Sequence, residues 1–407
     1  MKKIIVPLFL IIALGCRNEQ ASRIALEEDV AFLASDSLGG RETGTAGEQK
    51  AAEYLQNRMS QLGLRPKGNA GTYLQTFSFK PKTDPHRQIQ NASSGDSTNT
   101  GTNVIGFLDN KAANTIVIGA HYDHLGMGGE GSLYRGEDAV HNGADDNASG
   151  VALLLSLAKD LKGKYKGNNY LFIAFSGEEM GLLGSNYFAN NPTVDLSEIN
   201  YMINMDMVGR LREDNTLSVS GTGTSPGWNE VLNEGNIGFK LVLKESGIGP
   251  SDHTSFYLQD IPVLHFFTGQ HQDYHKPTDD ADKLNYEGMR MISDYIQTVI
   301  GKMDDKAPLV FKKTKNESEE VPRFKVALGV IPDYLFDGSG MRIDGISEDK
   351  PAQKAGLRKG DVVIKMGDSV VVDMMSYMRA LSVFGKGNTT TVVVDRKGEK
   401  IEVAITF

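Results

Sequence analysis

Four short, almost uninterrupted apolar runs stand out along the first three quarters of the chain: TIVIGA (115–120), YLFIAF (170–175), YMINM (201–205) and IPVLHFF (261–267). Each is four to eight residues of buried-strand character, bounded by polar or glycine-bearing segments. Between them the apolar positions recur at helical spacing, most clearly in VALLLSLAKDL (151–161). Strands alternating with helices from 103 to about 303 predict a three-layer α/β/α domain on a mixed sheet. Upstream, RIALEEDVAFLAS (23–35) and the segment ending near Gly63 read as amphipathic helices, and TYLQTFSF (72–79) alternates as a strand does. Residues 81–101 are polar throughout and read as an exposed loop.

Near residue 306 the pattern changes. DDKAPLVFKKTKNESEEVP carries a lysine run, a glutamate run and prolines, which predicts a linker over 306–322. The last 85 or so residues give short strands, glycine turns such as KAGLRKGD, and one helix near 373–384. They predict a small, mostly β domain over 323–407, after a first domain over 17–305.

A length of 407 residues fits this division, being too long for one ordinary core. The net charge of −9 argues against a nucleic-acid partner, which would need a basic face. The first sixteen residues, MKKIIVPLFLIIALGC, are two lysines, an apolar run and a cysteine. This is a secretory signal over 1–16, too short for a membrane span. Its ending resembles the bacterial lipoprotein box and implies lipidation of Cys16, the only cysteine of the chain. An exported protein with one cysteine has no internal disulfide, so packing or metal must stabilise it. The implied location is the bacterial cell envelope, lipid-anchored to the membrane and facing the periplasm or the cell surface.

The apolar runs share a further property: each leads into groups that bind metal. HYDH (121–124) follows the first, SGEE (176–179) the second, Asp206 the third, and TGQHQDYH, with Tyr274 and His275, the fourth. In open α/β sheets, sites form outside the carboxyl ends of the strands. The loop GADDNASG adds two adjacent carboxylates before a helix. Imidazole with carboxylate suits zinc, though cobalt and manganese remain open. Two histidines, a glutamate and two aspartates exceed one catalytic zinc and suit two ions sharing a carboxylate.

These residues carry a resemblance. GRETGTAG, AHYDH, NGADDNASG, FSGEEMGLLGS, NMDMVG, SDHTSF and DYHKPTDD, in this order, resemble the secreted di-zinc aminopeptidases. Glutamate carboxypeptidase II and glutaminyl cyclase are relatives of that family. The resemblance implies two Zn(2+) per chain, with His121 and Asp206 on one, Glu179 and His275 on the other, and Asp146 bridging. It implies a cis peptide at Asp146–Asn147, Glu178 as general base, and Asp123 behind the imidazole of His121. It implies for Tyr274 a hydrogen bond to the developing oxyanion. The implied activity is removal of N-terminal residues from exported or extracellular peptides through a bridging hydroxide. A carboxypeptidase or another amidohydrolase on the same scaffold is the alternative. A cyclase would lack His121, and a non-catalytic receptor on the same scaffold would have lost ligands.

Other candidates have ordinary readings. His265 reads as a core histidine and Met205 and Met207 as packing. Trp228 reads as helix packing or a pocket wall. His124, His141 and His253 have hydrogen-bonding or substrate-shaping roles, or none. Residues 323–407 resemble a PDZ domain through ALGVIPDY, GMRIDGISEDKPAQKAGLRKGDVVIKMGD and MMSYMRALSVF. That implies a groove for a peptide or protein C-terminus, or a spacer module with no ligand.

Overall fold

The computed structural model describes residues 24–80, 98–129, 131–314, 325–333, 336, 338–347 and 349–407. The signal segment with Cys16, most of the polar loop after 80 and the later part of the expected linker lie outside the described residues. Among the described residues, no helix is long and apolar enough to cross a membrane.

The first body is built on one mixed sheet of nine strands. They are β1 (Arg65–Pro66), β2 (Leu74–Phe79), β3 (Asn99–Leu108), β4 (Asn114–His121), β5 (Asn168–Phe175), β6 (Ile199–Met205), β7 (Thr216–Ser220), β8 (Lys240–Lys244) and β9 (Val263–Phe267). Their order is β1-β3-β5-β4-β6-β9-β7-β8, with β2 also paired to β3. The four apolar runs are β4, β5, β6 and β9, which form the contiguous parallel centre. β3 and β7 flank it antiparallel. Central strands are covered on both faces, so their sequences show no polar alternation. β8 is partly solvated, and β7 is a buried five-residue strand of alternating Thr, Leu, Ser and Val with no long apolar run, so sequence pattern alone left both unread. It also placed 99–101 in a loop, whereas these residues pair with Phe77–Phe79 and leave Asn99 and Thr100 exposed.

Helices lie on both faces: α1 (24–33), α2 (Ala46–Gln61), α3 (Gly150–Asp160), α4 (Leu183–Asn190), α5 (Trp228–Gly235), α6 (His253–Tyr257) and α7 (Tyr286–Met303). The period of two sorts each central strand between two cores. Ile116, Ile118, Tyr170, Phe172, Tyr201 and Ile203 face the core of α1, α2, α3, α5 and α7. Val117, Leu171, Ile173 and Met202 face the core of α4 and α6. Trp228 is fully buried and meets Tyr201 edge-on, so it packs its helix and walls no pocket. Met205 and Met207 are likewise buried.

The C-terminal body has its own core, centred on Leu328, Ile343, Val363, Val392, Val394 and Ile405. Its sheet holds β10 (Val330–Pro332), β11 (Met341–Ile346), β12 (Val362–Met366), β13 (Ser369–Val370), β14 (Thr389–Arg396) and β15 (Glu399–Thr406), all paired antiparallel. Two helices accompany it, α8 (Pro351–Lys354) and α9 (Met374–Ser382). Asp373 and Ser376 cap α9 reciprocally, worth about 1 kcal/mol. Between the bodies, residues 309–314 lie along the first one. Leu309 N–H donates to Asn200, Lys312 N–H to the Thr224 carbonyl, and Thr314 N–H to the Tyr257 hydroxyl.

Candidate metal centre

The carboxyl edge of the parallel centre gathers the groups singled out from the sequence. His121 is the last residue of β4, Glu178 and Glu179 follow β5 after a glycine turn, and Asp206 follows β6 directly. His275 ends the loop after β9, and Asp145 and Asp146 sit in the turn that precedes α3. Gly143 has φ 53°, and a Cβ there would fall 2.1 Å from the Asp146 carbonyl oxygen, so only glycine admits this turn. The Asp146–Asn147 peptide is cis.

Asp146 lies between two groups. Its Oδ1 is 3.3 Å from His121 Nε2, which is 3.4 Å from Asp206 Oδ1. Its Oδ2 is 3.2 Å from His275 Nε2, which is 3.3 Å from Glu179 Oε2. In a tetrahedral zinc site with bonds of about 2.0–2.1 Å, neighbouring ligand atoms are separated by about 3.3–3.4 Å. All four spacings match that edge. His121 is fully buried, yet its Nε2 has no hydrogen-bond partner, a cost no neutral core explains. The donor set therefore fits zinc. Glu178 lies with His121 and Asp206, their ligand atoms all within 4.8 Å of one another, and His124 stands likewise beside Asp146 and Glu179. His124 Nδ1–H donates to Glu179 Oε1 at 2.7 Å, a hydrogen-bond distance rather than a ligand edge. It holds Glu179 in place.

The surrounding groups fix these side chains. The His121 Nδ1–H points to the carbonyl oxygen of Asp123 at 3.2 Å, closer than the Asp123 carboxylate at 3.6 Å. That carboxylate instead accepts the Glu178 and Glu179 amides and the Thr43 hydroxyl, setting the turn that aims both glutamates. Asp145 is the bracing member of its pair: its Oδ1 accepts Gly209 N–H at 2.6 Å, and its Oδ2 faces His271 at 3.1 Å. Asp279 accepts the amides of both Asp145 and Asp146. The Gly131 carbonyl accepts from His275 Nδ1 at 2.8 Å, and the Tyr274 ring lies face to face with His275 at 3.8 Å between centroids. His141 bonds Ser132 and the Ala139 carbonyl in the loop beside the centre. His265 and His253 are stacked in the core at 4.5 Å, and His265 contacts Asn204.

Two buried residues escaped the sequence reading. Glu48 accepts from Gly44 N–H, Thr102 N–H, Ser176 Oγ and Tyr122 OH, tying α2 to the strand ends. Its signal was present as a Thr45-x-x-Glu48 helix start. Arg41 is wholly buried and donates only to carbonyls: those of Tyr122 (2.8 Å), Asn142 (2.7 Å), Gly143 (3.1 Å) and Leu33. Burial lowers its pKa to about 10, while Asp123, Asp146, Asp279 and Glu179 oppose the shift. It thus joins the loop of His121 to the loop of Asp146. Arg41→Met leaves these carbonyls unpaired and is expected to cost about 3 kcal/mol or more. Denaturant unfolding of the metal-free protein reads this, and a loss under 1 kcal/mol would remove the tether.

Crowded carboxylates dominate the electrostatics. Glu178 is held well above the usual range, first by burial and then by Glu179, Asp206 and Asp252, against the attraction of His121. Burial, with Asp123 and Asp206, raises Asp252 to about 7. Burial alone would lower His275, but Glu179 and Asp146 overcome it and raise it to about 11. Between pH 6.5 and 8.5 Glu178 and His275 keep protons that the unfolded chain has released, and Asp252 does so up to about pH 7. The metal-free protein must therefore lose stability as pH rises through that window. Burial lowers His265 to about 4, and His253 well below its usual value, so their opposing effect fades as pH passes the ordinary histidine value at the lower end of the window. Calorimetry should show the melting temperature of EDTA-treated protein falling from pH 6.5 to 8.5. Zinc-loaded protein should stay level, and a level metal-free curve would contradict the crowding.

A single mixed sheet between two helical layers, with a carboxylate lying between two histidine–carboxylate groups at its carboxyl edge, is the architecture of a metal-dependent hydrolase. Residues 103–300 match the model of peptidase family M28, and residues 311–407 match that of the PDZ domain. The first region is accordingly of the M28 peptidase type and the second of the PDZ type. It is similar to aminopeptidase YwaD of Bacillus subtilis, 27% identical over 243 residues, covering 54% of this chain and 50% of that one. It is also similar to leupeptin-inactivating enzyme 1 of Streptomyces exfoliatus, 27% identical over 262 residues, covering 62% and 49%. The chain spans about half the length of these curated relatives. Among solved structures, a zinc aminopeptidase from Bacillus subtilis aligns with TM-score 0.53 and 17% identity, over 71% of this chain and 98% of that one. The glutaminyl cyclase of Porphyromonas gingivalis aligns with TM-score 0.55 and 18% identity, over 69% and 98%. These structural likenesses carry the fold.

Proposed function

We propose that the chain is a zinc-dependent aminopeptidase that removes N-terminal residues from exported or extracellular peptides. The observation that carries this reading is the set of four ligand-edge spacings around Asp146. His121 and Asp206 would hold one zinc, Glu179 and His275 a second, and Asp146 both. Bound zinc supplies Lewis-acid polarisation of the scissile carbonyl and an acidified water. Glu178 accepts a proton from the attacking water and passes it to the leaving amine; with zinc bound beside it, this carboxyl would release the proton that crowding makes it keep in the metal-free protein. Asp123 holds the orientation of His121 and of the Glu178 turn. Tyr274, stacked beside His275, donates to the developing oxyanion. Residues 17–305 form the catalytic unit, 306–322 the connection and 323–407 the PDZ unit.

The decisive experiment is cleavage of a mixed peptide pool by zinc-loaded protein, read by mass spectrometry, with half the peptides blocked at the N-terminus. Stepwise loss of N-terminal residues from the free peptides alone supports the aminopeptidase. Loss from the carboxyl end moves the reading to a carboxypeptidase on the same centre. The lysines, apolar run and cysteine of residues 1–16 support export and anchoring through a lipid on Cys16 in the cell envelope. Cys16→Ser should move the protein from the membrane fraction to the soluble one, and an unchanged membrane fraction would remove the anchor.

A further inference from the structure

We infer that the lysine-bearing amino edge of the peptidase sheet is a docking surface for an anionic phospholipid bilayer, the one that holds the lipid on Cys16. Docked in this way, the protein turns its metal centre away from the membrane. The inference rests on the envelope anchor proposed above and adds a surface and an orientation to it.

The chain places its cations unevenly. Its net charge is −9, yet KDLKGKYK, residues 159–166, holds four lysines against one aspartate. This run closes α3 and leads into β5, so it lies where the parallel strands begin. All four lysines are exposed, and none forms an ion pair among the described residues. Lys162 Nζ donates to the Leu62 carbonyl at 3.2 Å, and Lys164 Nζ to the Gln297 side-chain oxygen at 3.0 Å. Both acceptors are neutral and leave the charge uncompensated. Asn110 joins the neighbouring turn to the run by donating to the Tyr165 and Asn168 carbonyls. There Arg65 and Lys111 share the single carboxylate of Asp109. Asp304 accepts the amides of Lys166 and Gly167. Six cations thus stand against Asp109, Asp160 and Asp304. Beyond β4 the edge turns acidic, at the exposed Asp195 and Glu198 before β6, so the docking surface is the side of β1, β3 and β5.

The anchor arrives at this side. Ala25 and Leu26, at the start of α1, line one small cavity with Arg58, Leu62 and Lys159. Eight residue steps from Cys16 to Ile24 reach at most about 28 Å. A body of roughly 290 residues has a radius of gyration of about 19 Å, hence a width of about 50 Å. The tether is shorter than the body is wide, so the lipid holds the protein by the side on which α1 begins. The metal ligands stand at the other ends of the strands. β4 runs from Asn114 at the lysine edge to His121 at the centre, a rise of about 23 Å.

Each lysine close to an anionic bilayer raises partitioning about fivefold, and the effect fades beyond a Debye length of about 8 Å. The lipid supplies the hold, and the lysines decide which side faces the bilayer. The centre is then left open to peptides arriving from solution.

The test uses the chain from Arg17, which keeps every described residue and lacks signal and lipid. It is sedimented with vesicles of phosphatidylcholine alone or mixed with phosphatidylglycerol. At low salt, binding to the mixed vesicles should exceed binding to the neutral ones at least tenfold, and high salt should abolish the excess. No preference for the anionic vesicles overturns the proposal. The variant Lys162→Glu, Lys164→Glu, Lys166→Glu should lose at least tenfold in binding. Lys386→Glu, Lys397→Glu, Lys400→Glu makes the same change of net charge on exposed lysines of the second body and should keep it. A first variant that binds like wild type, or a second that falls as far as the first, also overturns the proposal. The chain from Arg17 has no cysteine, so single dyes report orientation. A dye on Ala113→Cys, beside the start of β4, should be quenched by a headgroup-labelled lipid, and one on Met127→Cys, after His124, should not. Equal quenching overturns the orientation. Mass spectrometry of the full-length protein separates the two readings. If Cys16 carries no lipid but the anionic preference holds, the anchor fails and the docking surface stands. If Cys16 is lipidated and the vesicles show no preference, the docking surface fails and the anchor stands.

Discussion

Asp146→Ala should strip the protein of both zinc ions and of all measurable turnover. Each oxygen of this carboxylate faces a different group, Oδ1 toward His121 and Oδ2 toward His275. Without it, His121 and Asp206 remain on one side and Glu179 and His275 on the other. Two protein ligands are fewer than the three that catalytic zinc ordinarily keeps. The fold should survive, because Asp145 and Asp279, not Asp146, brace the turn to Gly209 and His271. Metal content after dialysis should fall from about two zinc per chain to near zero, with circular dichroism unchanged. A folded variant that keeps two zinc ions would remove Asp146 from the bridging position.

Glu178→Gln should separate metal binding from proton transfer. The substitution keeps the shape and the backbone contact to Asp123 and removes only the basic oxygen. Zinc content should stay at the wild-type value while turnover drops about 10²–10⁴-fold, the usual worth of a positioned acid–base group. KM for short substrates should change little, because the residue acts on the proton rather than on the bound peptide. Turnover within a factor of a few of wild type would exclude Glu178 as the base, and loss of zinc would make it a ligand, as its closeness to His121 and Asp206 permits.

The centre was legible because its groups follow strands that announce themselves. A run of apolar residues predicts a buried parallel strand, and what comes next stands at the carboxyl edge. His121, Glu179, Asp206 and His275 were all readable in that way. The supporting contacts were not. Arg41 acts on main-chain carbonyls more than eighty residues away, at Tyr122, Asn142 and Gly143, and side-chain spacing carries no trace of such partners. For Asp123 the resemblance placed the residue behind His121, but the closer acceptor is its carbonyl, and its carboxylate serves the Glu178 turn. In the fold, β3 went partly unread because it starts on exposed polar residues, and β7 and β8 went wholly unread because each is only five residues long and neither carries a continuous apolar run.

The residues around Asp146 are scattered from position 121 to position 275 and meet only when β4, β5, β6 and β9 are already side by side. Contacts so distant along the chain form late and slow the approach to the native state. An ion cannot seed this protein as it seeds a small zinc finger, where the ligands are near neighbours in sequence. It arrives at a sheet that is already assembled, so metal supply should set the lifetime of the folded chain rather than the rate at which it is made.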